Sequence, residues 1–95
     1  MNLRVTLYDT LVNNQLLVRI YDLDNEGRDG KLRVSISGHK EDIKIDIKHL
    51  SLSPIDVFVK DTPVTGRIQE VTARIYSADQ NLIHDSDTRM IKLGK

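Results

Sequence analysis

Ninety-five residues make a single domain spanning 1–95, and fourteen basic against fourteen acidic side chains leave it formally neutral. A neutral chain with interspersed signs lacks the electrostatic footprint of a nucleic-acid binder and the polybasic cluster of an anionic-membrane binder, so neither partner is expected. With no cysteine, disulfides, zinc–thiolate sites and thiol nucleophiles are excluded, and stability rests on packing of Ile, Leu and Val.

The opening residues, MNLRVTLYDT, contain no apolar core of signal-peptide length. No apolar run approaches the ~20 residues of a membrane-spanning helix. These features lead us to expect a cytoplasmic or virion-associated protein, or a module excised from a surface protein.

Residues 3–8 alternate Leu3, Val5 and Leu7 against Arg4, Thr6 and Tyr8, which predicts a first strand. Asp9, Thr10, Asn13 and Asn14 interrupt or end it, with Leu11 and Val12 as an extension past a bulge. Residues 15–23 form a second strand, apolar on parts of both faces and therefore a candidate central strand. A polar loop at 22–30 leads to a third strand at 31–37, where Leu32, Val34 and Ile36 oppose Arg33, Ser35 and Ser37. Two alternating runs around an Asp/Asn/Gly loop predict a half-buried β-hairpin.

Residues 43–48 give the cleanest alternation, Ile43, Ile45 and Ile47 against Lys44, Asp46 and Lys48. β-branched residues at spacing two would fall on different faces of a helix, so a strand is expected. A fifth strand covers 55–60, with Ile55, Val57 and Val59 inward and Asp56, Phe58 and Lys60 outward. Residues 67–78 fit a helical stripe through Ile68, Val71 and Ile75, or a strand through Val71, Ala73 and Ile75. Their Thr, Val, Ile and Tyr content favours the strand. The last strand covers 82–93, with a bulge or break at Asp85-Ser86-Asp87.

About seven short strands with regular turn signals predict an all-β antiparallel sandwich. One internal echo stands out: Val18-Arg19-Ile20-Tyr21-Asp22 resembles Ala73-Arg74-Ile75-Tyr76-Ser77. It reads either as convergence of similar strand-to-turn junctions or as equivalent positions in two packed sheets.

The run Tyr21-Asp22-Leu23-Asp24-Asn25-Glu26-Gly27 followed by Lys31-Leu32-Arg33-Val34-Ser35-Ile36, and the later Val71-Thr72-Ala73-Arg74-Ile75-Tyr76 with Asp79-Gln80-Asn81-Leu82-Ile83, resemble immunoglobulin-like β-sandwich modules of the bacterial or phage surface type. The resemblance spans most of the chain at the level of fold pattern. It implies an immunoglobulin-like sandwich with a role in binding, decoration or spacing, and carries over no functional residue.

The acidic loop offers hard oxygen ligands of the kind calcium requires. Read as an EF-hand, Asp22, Asp24, Glu26 and Gly27 would fill positions 1, 3, 5 and 6, but Arg33 stands where a bidentate Glu is needed, and strands rather than helices flank the loop. A sandwich-loop calcium site built from Asp22, Asp24 and Glu26, with Asp79 brought in from the sixth-to-seventh strand loop, survives that test. Arg28 and Lys31 could instead neutralise the loop. No other cofactor is implied. His39, His49 and His84 are scattered without ligand spacing. No nucleophile elbow, phosphate loop or carboxylate pair is present, so an enzyme is not expected.

Tyr8, Tyr21, Phe58 and Tyr76 fall on the outward phase of their strands, and Arg4, Arg19 and Arg74 share those faces. Tyr and Arg are enriched at binding hot spots. Arg19, Tyr21, Phe58, Arg74 and Tyr76 are therefore the candidate interface, although cross-strand Tyr–Arg stacking over a sheet would give the same pattern. The expected function is a non-enzymatic protein-interaction module: a decoration, adhesion or spacer domain of a virion or cell-surface protein. The alternatives are a stand-alone regulator or inhibitor binding a host protein, and a calcium-binding module using the 22–29 loop. A protein partner is expected, and exposed edge strands also allow a homodimer.

Overall fold

The computed structural model describes residues 2–78 and 82–94. These residues form seven strands and no helix: β1 (Leu3–Leu7), β2 (Leu16–Asp22), β3 (Gly30–Ile36), β4 (Ile43–Ile47), β5 (Ile55–Val59), β6 (Ile68–Ser77) and β7 (Ile83–Lys92). The strands make two antiparallel sheets, β1-β2-β5 and β4-β3-β6-β7. The fold is an all-β sandwich. The ambiguous stretch at 67–78 is a strand, because Val71, Ala73 and Ile75 meet Ile36, Val34 and Leu32 across the β3–β6 ladder and bury the same face.

Period-2 alternation builds the core. From the first sheet come Leu3, Val5, Leu7, Leu16, Val18, Ile20 and Val59; from the second come Leu32, Val34, Ile36, Val71, Ala73, Ile75 and Ile91. Each set lies on one face of its sheet, so the two apolar faces close on one another and exclude water. β1 and β2 are joined through a tight turn. Val12 and Gln15 exchange backbone bonds of 2.9 and 3.0 Å around Asn13 and Asn14, both at positive φ. Asn tolerates that conformation better than most residues, so the chain reverses here, and the Val12–Gln15 bridge continues the β1–β2 pairing past an irregularity at 9–11, as the expected extension beyond a bulge requires.

The expected hairpin at 22–30 is not formed. β2 and β3 lie in different sheets, and the segment between them is a crossover. Alternation specifies which residues face inward but not which strand is the neighbour. Here β2 is already paired on both edges, with β1 and β5. The carboxylate of the fully buried Asp22 then accepts from the N–H groups of Asp24 (2.9 Å) and Glu26 (3.2 Å), turning the chain out of the first sheet.

A second crossover, between β4 and β5, is stitched to the first. Asp22 N–H donates to Ser51 C=O (2.7 Å), Leu50 N–H to Arg28 C=O (2.8 Å), and Leu52 N–H to the Asn25 side chain (3.1 Å). His49 N–H donates to Asp29 (3.1 Å), which also takes the Lys48 ammonium at 3.2 Å. Leu50, fully buried, plugs the end of the core beneath these bonds. It sits against Gly30: a Cβ there would lie 2.6 Å from Leu50 Cδ1 and 3.2 Å from the Tyr76 carbonyl oxygen.

The structure therefore predicts a coupled pair. Leu50→Ala should cost about 2–5 kcal/mol by opening a cavity, and Gly30→Ala about 1–3 kcal/mol by overpacking. Urea denaturation of the double variant should give less than the sum, because the shortened side chain at position 50 makes room for the new methyl.

Candidate interaction surfaces

The candidate interface residues sit on two opposite outer faces. On the first sheet, Arg19 pairs with Asp56 on the neighbouring strand (2.9 Å) and lies over the Tyr8 ring at 5.7 Å. Tyr21 is half-buried on the same face. Phe58 is directly across from Leu17 and remains 40% exposed. On the second sheet, Arg74 donates to Ser35 (2.8 Å). Alternation puts Tyr76 on a polar surface, but it is buried, with the Arg33 guanidinium 5.0 Å above its ring. The two Arg-x-Tyr echoes thus occupy central strands of opposite sheets, and their side chains cannot form one continuous patch.

Two carboxylates of the acidic loop, Asp22 and Asp29, help to hold the crossover. Asp22 is buried and caps two N–H groups of its own loop, Glu26 pairs with Arg28 at 2.9 Å, and Asp29 is bound to Lys48 and to the His49 N–H. Among the described residues no group of three His, Asp or Glu side chains is placed to hold a metal ion. Asp79, the fourth ligand of the expected calcium site, lies outside the described residues. The Asp29 carboxyl is held below the ordinary carboxylate range, first by the His49 N–H bond and then by Lys48. Asp56 is held low by its bond to Arg19.

The sandwich has two long sides, and they differ. On one side, β7 runs beside β1. Tyr8 N–H bonds to Leu17 C=O, so Arg4 and Thr6 point their backbone groups at β2, and Val5 and Leu7 point theirs at the outer edge. There the Asp85 carboxylate accepts from Val5 N–H (3.0 Å) and the Asp87 carboxylate from Leu7 N–H (2.8 Å). Of the bulge or break expected at Asp85-Ser86-Asp87, no break is seen. β7 is continuous through these residues, and the ladder irregularity falls earlier, where Ile75 pairs with Asp85 but Tyr76 with Ile83. Two Asp residues on the same strand phase as Ile91 and Leu93 were the available sequence signal. A carboxylate on the inward phase near an edge is a known way to occupy unpaired strand N–H groups.

The other long side carries β4 and β5, each the last strand of its sheet. Ile43 and Ile45 of β4, and Ile55 and Val57 of β5, lie on the inward phase yet are only half-buried. Ile43 and Ile45, with Phe58, Lys60 and Asp61, line a cleft of about 230 Å³. By ladder parity, Lys44 and Asp46 turn their backbone groups to the outer edge of β4, as Asp56 and Phe58 do on β5. Among the described residues nothing bonds to the N–H of Lys44 or Asp46.

Two outcomes follow from these contacts. Replacing Asp85 and Asp87 by Ala should speed amide hydrogen exchange at Val5 and Leu7 selectively, read by NMR, while the β2–β5 ladder stays protected. Asp29 and Asp56 ionise more readily folded than unfolded. Their contribution is thus present above the unfolded carboxyl value near ~4 and is lost as pH falls through the lower folded value. The gap in urea midpoint between wild type and Asp56→Asn should therefore be full at neutral pH and close below about pH 4.

Comparison with protein-family models, with curated proteins and with solved structures gives no match for this chain.

Proposed function

We propose that this chain is an immunoglobulin-like sandwich module that works as a non-enzymatic protein-interaction unit, docking its partner on the open β4/β5 side. The strand order supports the immunoglobulin-like reading. The central pairs β2–β5 and β3–β6 are those of an immunoglobulin domain, with the fourth strand on the edge of the second sheet rather than the first. The non-enzymatic reading draws on the setting of the charged cleft lined by Arg33, Lys40, Glu41, Asp42 and Lys44, which opens broadly to solvent on a sheet surface rather than into an apolar pocket.

The observation that carries the docking reading is the contrast between the two sides. Carboxylates occupy the β1 edge, whereas β4 keeps free backbone groups beside half-buried isoleucines and a part-exposed Phe. A free edge with an adjoining apolar cleft is what strand addition uses: backbone bonds supply affinity, and alternate side chains supply specificity. This moves the interface from the Arg19/Tyr21 and Arg74/Tyr76 faces to the seam, retaining Phe58 at its rim.

A peptide-library selection against the immobilised protein tests this. Selected peptides should shift the amide resonances of Ile43 to Asp46 and Phe58, and should fail against Asp46→Pro, which blocks the outward N–H while leaving the bonds to β3 intact. Shifts confined to the outer sheet faces would overturn the docking reading.

A further inference from the structure

We infer that a second copy of this chain fits the open edge, through antiparallel pairing of β4 with its own equivalent about Ile45. The inference rests on the docking reading above and names the partner.

Parity comes first. Ser37 N–H bonds to Glu70 C=O, so alternate residues of β3 face β6, and Leu32 and Val34 face β4. Ile43, Ile45 and Ile47, which oppose Val34, Leu32 and Gly30, therefore bond back to β3. Lys44 and Asp46 are left directed outward, as strand addition requires.

Register comes second. With the two-fold axis at Ile45, each Ile43 meets the Ile47 of the second copy, and each Lys44 meets its Asp46. Beyond the strand, Asp42 meets Lys48. Every charged residue thus faces its opposite, and every apolar residue faces an isoleucine. An axis at Lys44 would place Lys44 against itself and Asp42 against Asp46. An axis at Ile43 or Ile47 would leave part of the strand unpaired. Only Ile45 pairs the whole of β4 with itself and keeps the charges complementary.

Within one chain Asp46 stands across from Lys31 on β3, whereas Lys44 has no acidic residue opposite it. Among the described residues neither Lys44 nor Asp46 forms an ion pair, whereas Arg19–Asp56 and Lys48–Asp29 do. Lys44 instead stands across from Arg33, which stands across from Arg74. Three cations in a row are unfavourable in a sheet. Asp46 of the second copy would end that row with a carboxylate and, by symmetry, do so twice. The joined sheets would run continuously through eight strands, and the half-buried Ile43 and Ile45 would gain apolar cover.

Five paired residues a side fall short of the ~800 Å² per partner of a standard interface, so the dimer is weak and concentration-dependent. Sedimentation velocity of the full chain from ~10 μM to ~1 mM should show the weight-average coefficient rising toward the dimer. Lys44→Asp and Asp46→Lys each place like charges opposite, and each should weaken self-association by about tenfold or more. An equimolar mixture of these two single variants sets a carboxylate opposite an ammonium at both contacts and should regain association, as should the double reversal Lys44→Asp/Asp46→Lys. Both positions are exposed, and circular dichroism checks that the fold is retained.

A wild type that stays monomeric throughout, or single reversals that associate as well as wild type, would overturn the self-pairing. If selected peptides still shift Ile43 to Asp46 in that case, the docking reading stands and only the identity of the occupant fails. If neither peptides nor a second copy engage β4, both fail.

Discussion

The sandwich depends on the bonding between its two crossovers. β2 leaves the first sheet and β4 leaves the second at the same end of the molecule, where Asp22, Asn25 and Asp29 of one segment bind the backbone of the other. The N–H groups of the buried Asp22 and Leu50 would otherwise lack partners at the end of the core, at a cost of about 1–3 kcal/mol each. Joined, the two segments bring Leu50 down onto the gap that Gly30 leaves open. The carboxylates of Asp22 and Asp29 are fasteners of this junction. Local capping by Asp22 steers the chain, the stitch fixes the separation of the sheets, and the sheets then set which edges are covered.

The consequences appear along the two sides. With no disulfide and few aromatic residues, the domain relies on two modest apolar faces, and each sheet ends in strands with unpaired backbone groups. Open edges invite uncontrolled association. β1 avoids it by pairing two N–H groups with Asp85 and Asp87, which also ties β7 to the opposite sheet across the seam. β4 is short and charged on its outer phase, which limits promiscuous pairing.

The strands themselves were largely legible in the residues. Ile43-Lys44-Ile45-Asp46-Ile47 can bury one face only as a strand, and the observed boundaries fall within about two residues of those read from alternation. Tyr76 departs from its expected exposure because phase along one strand cannot report what a neighbouring strand lays over it. Arg33, far off in the chain, supplies that cover. The capping of β1 was legible only in part: Asp85 and Asp87 share the phase of Ile91, but Asp85 and Val5 are 80 residues apart, and no local pattern records which strand they meet.

Composition and period-2 alternation by themselves determined an all-β domain, its inward residues and its turns, because pleat geometry couples neighbouring residues directly. Which strands became neighbours was decided only by tertiary structure. The 22–30 loop could have closed a hairpin, and the same alternation would have served. β2 had both edges taken by β1 and β5, so β3 was left to pair with β4 and β6 in the facing sheet. Edge availability is a property of the assembled sheets, and it also settled which side of the molecule is capped and which remains open.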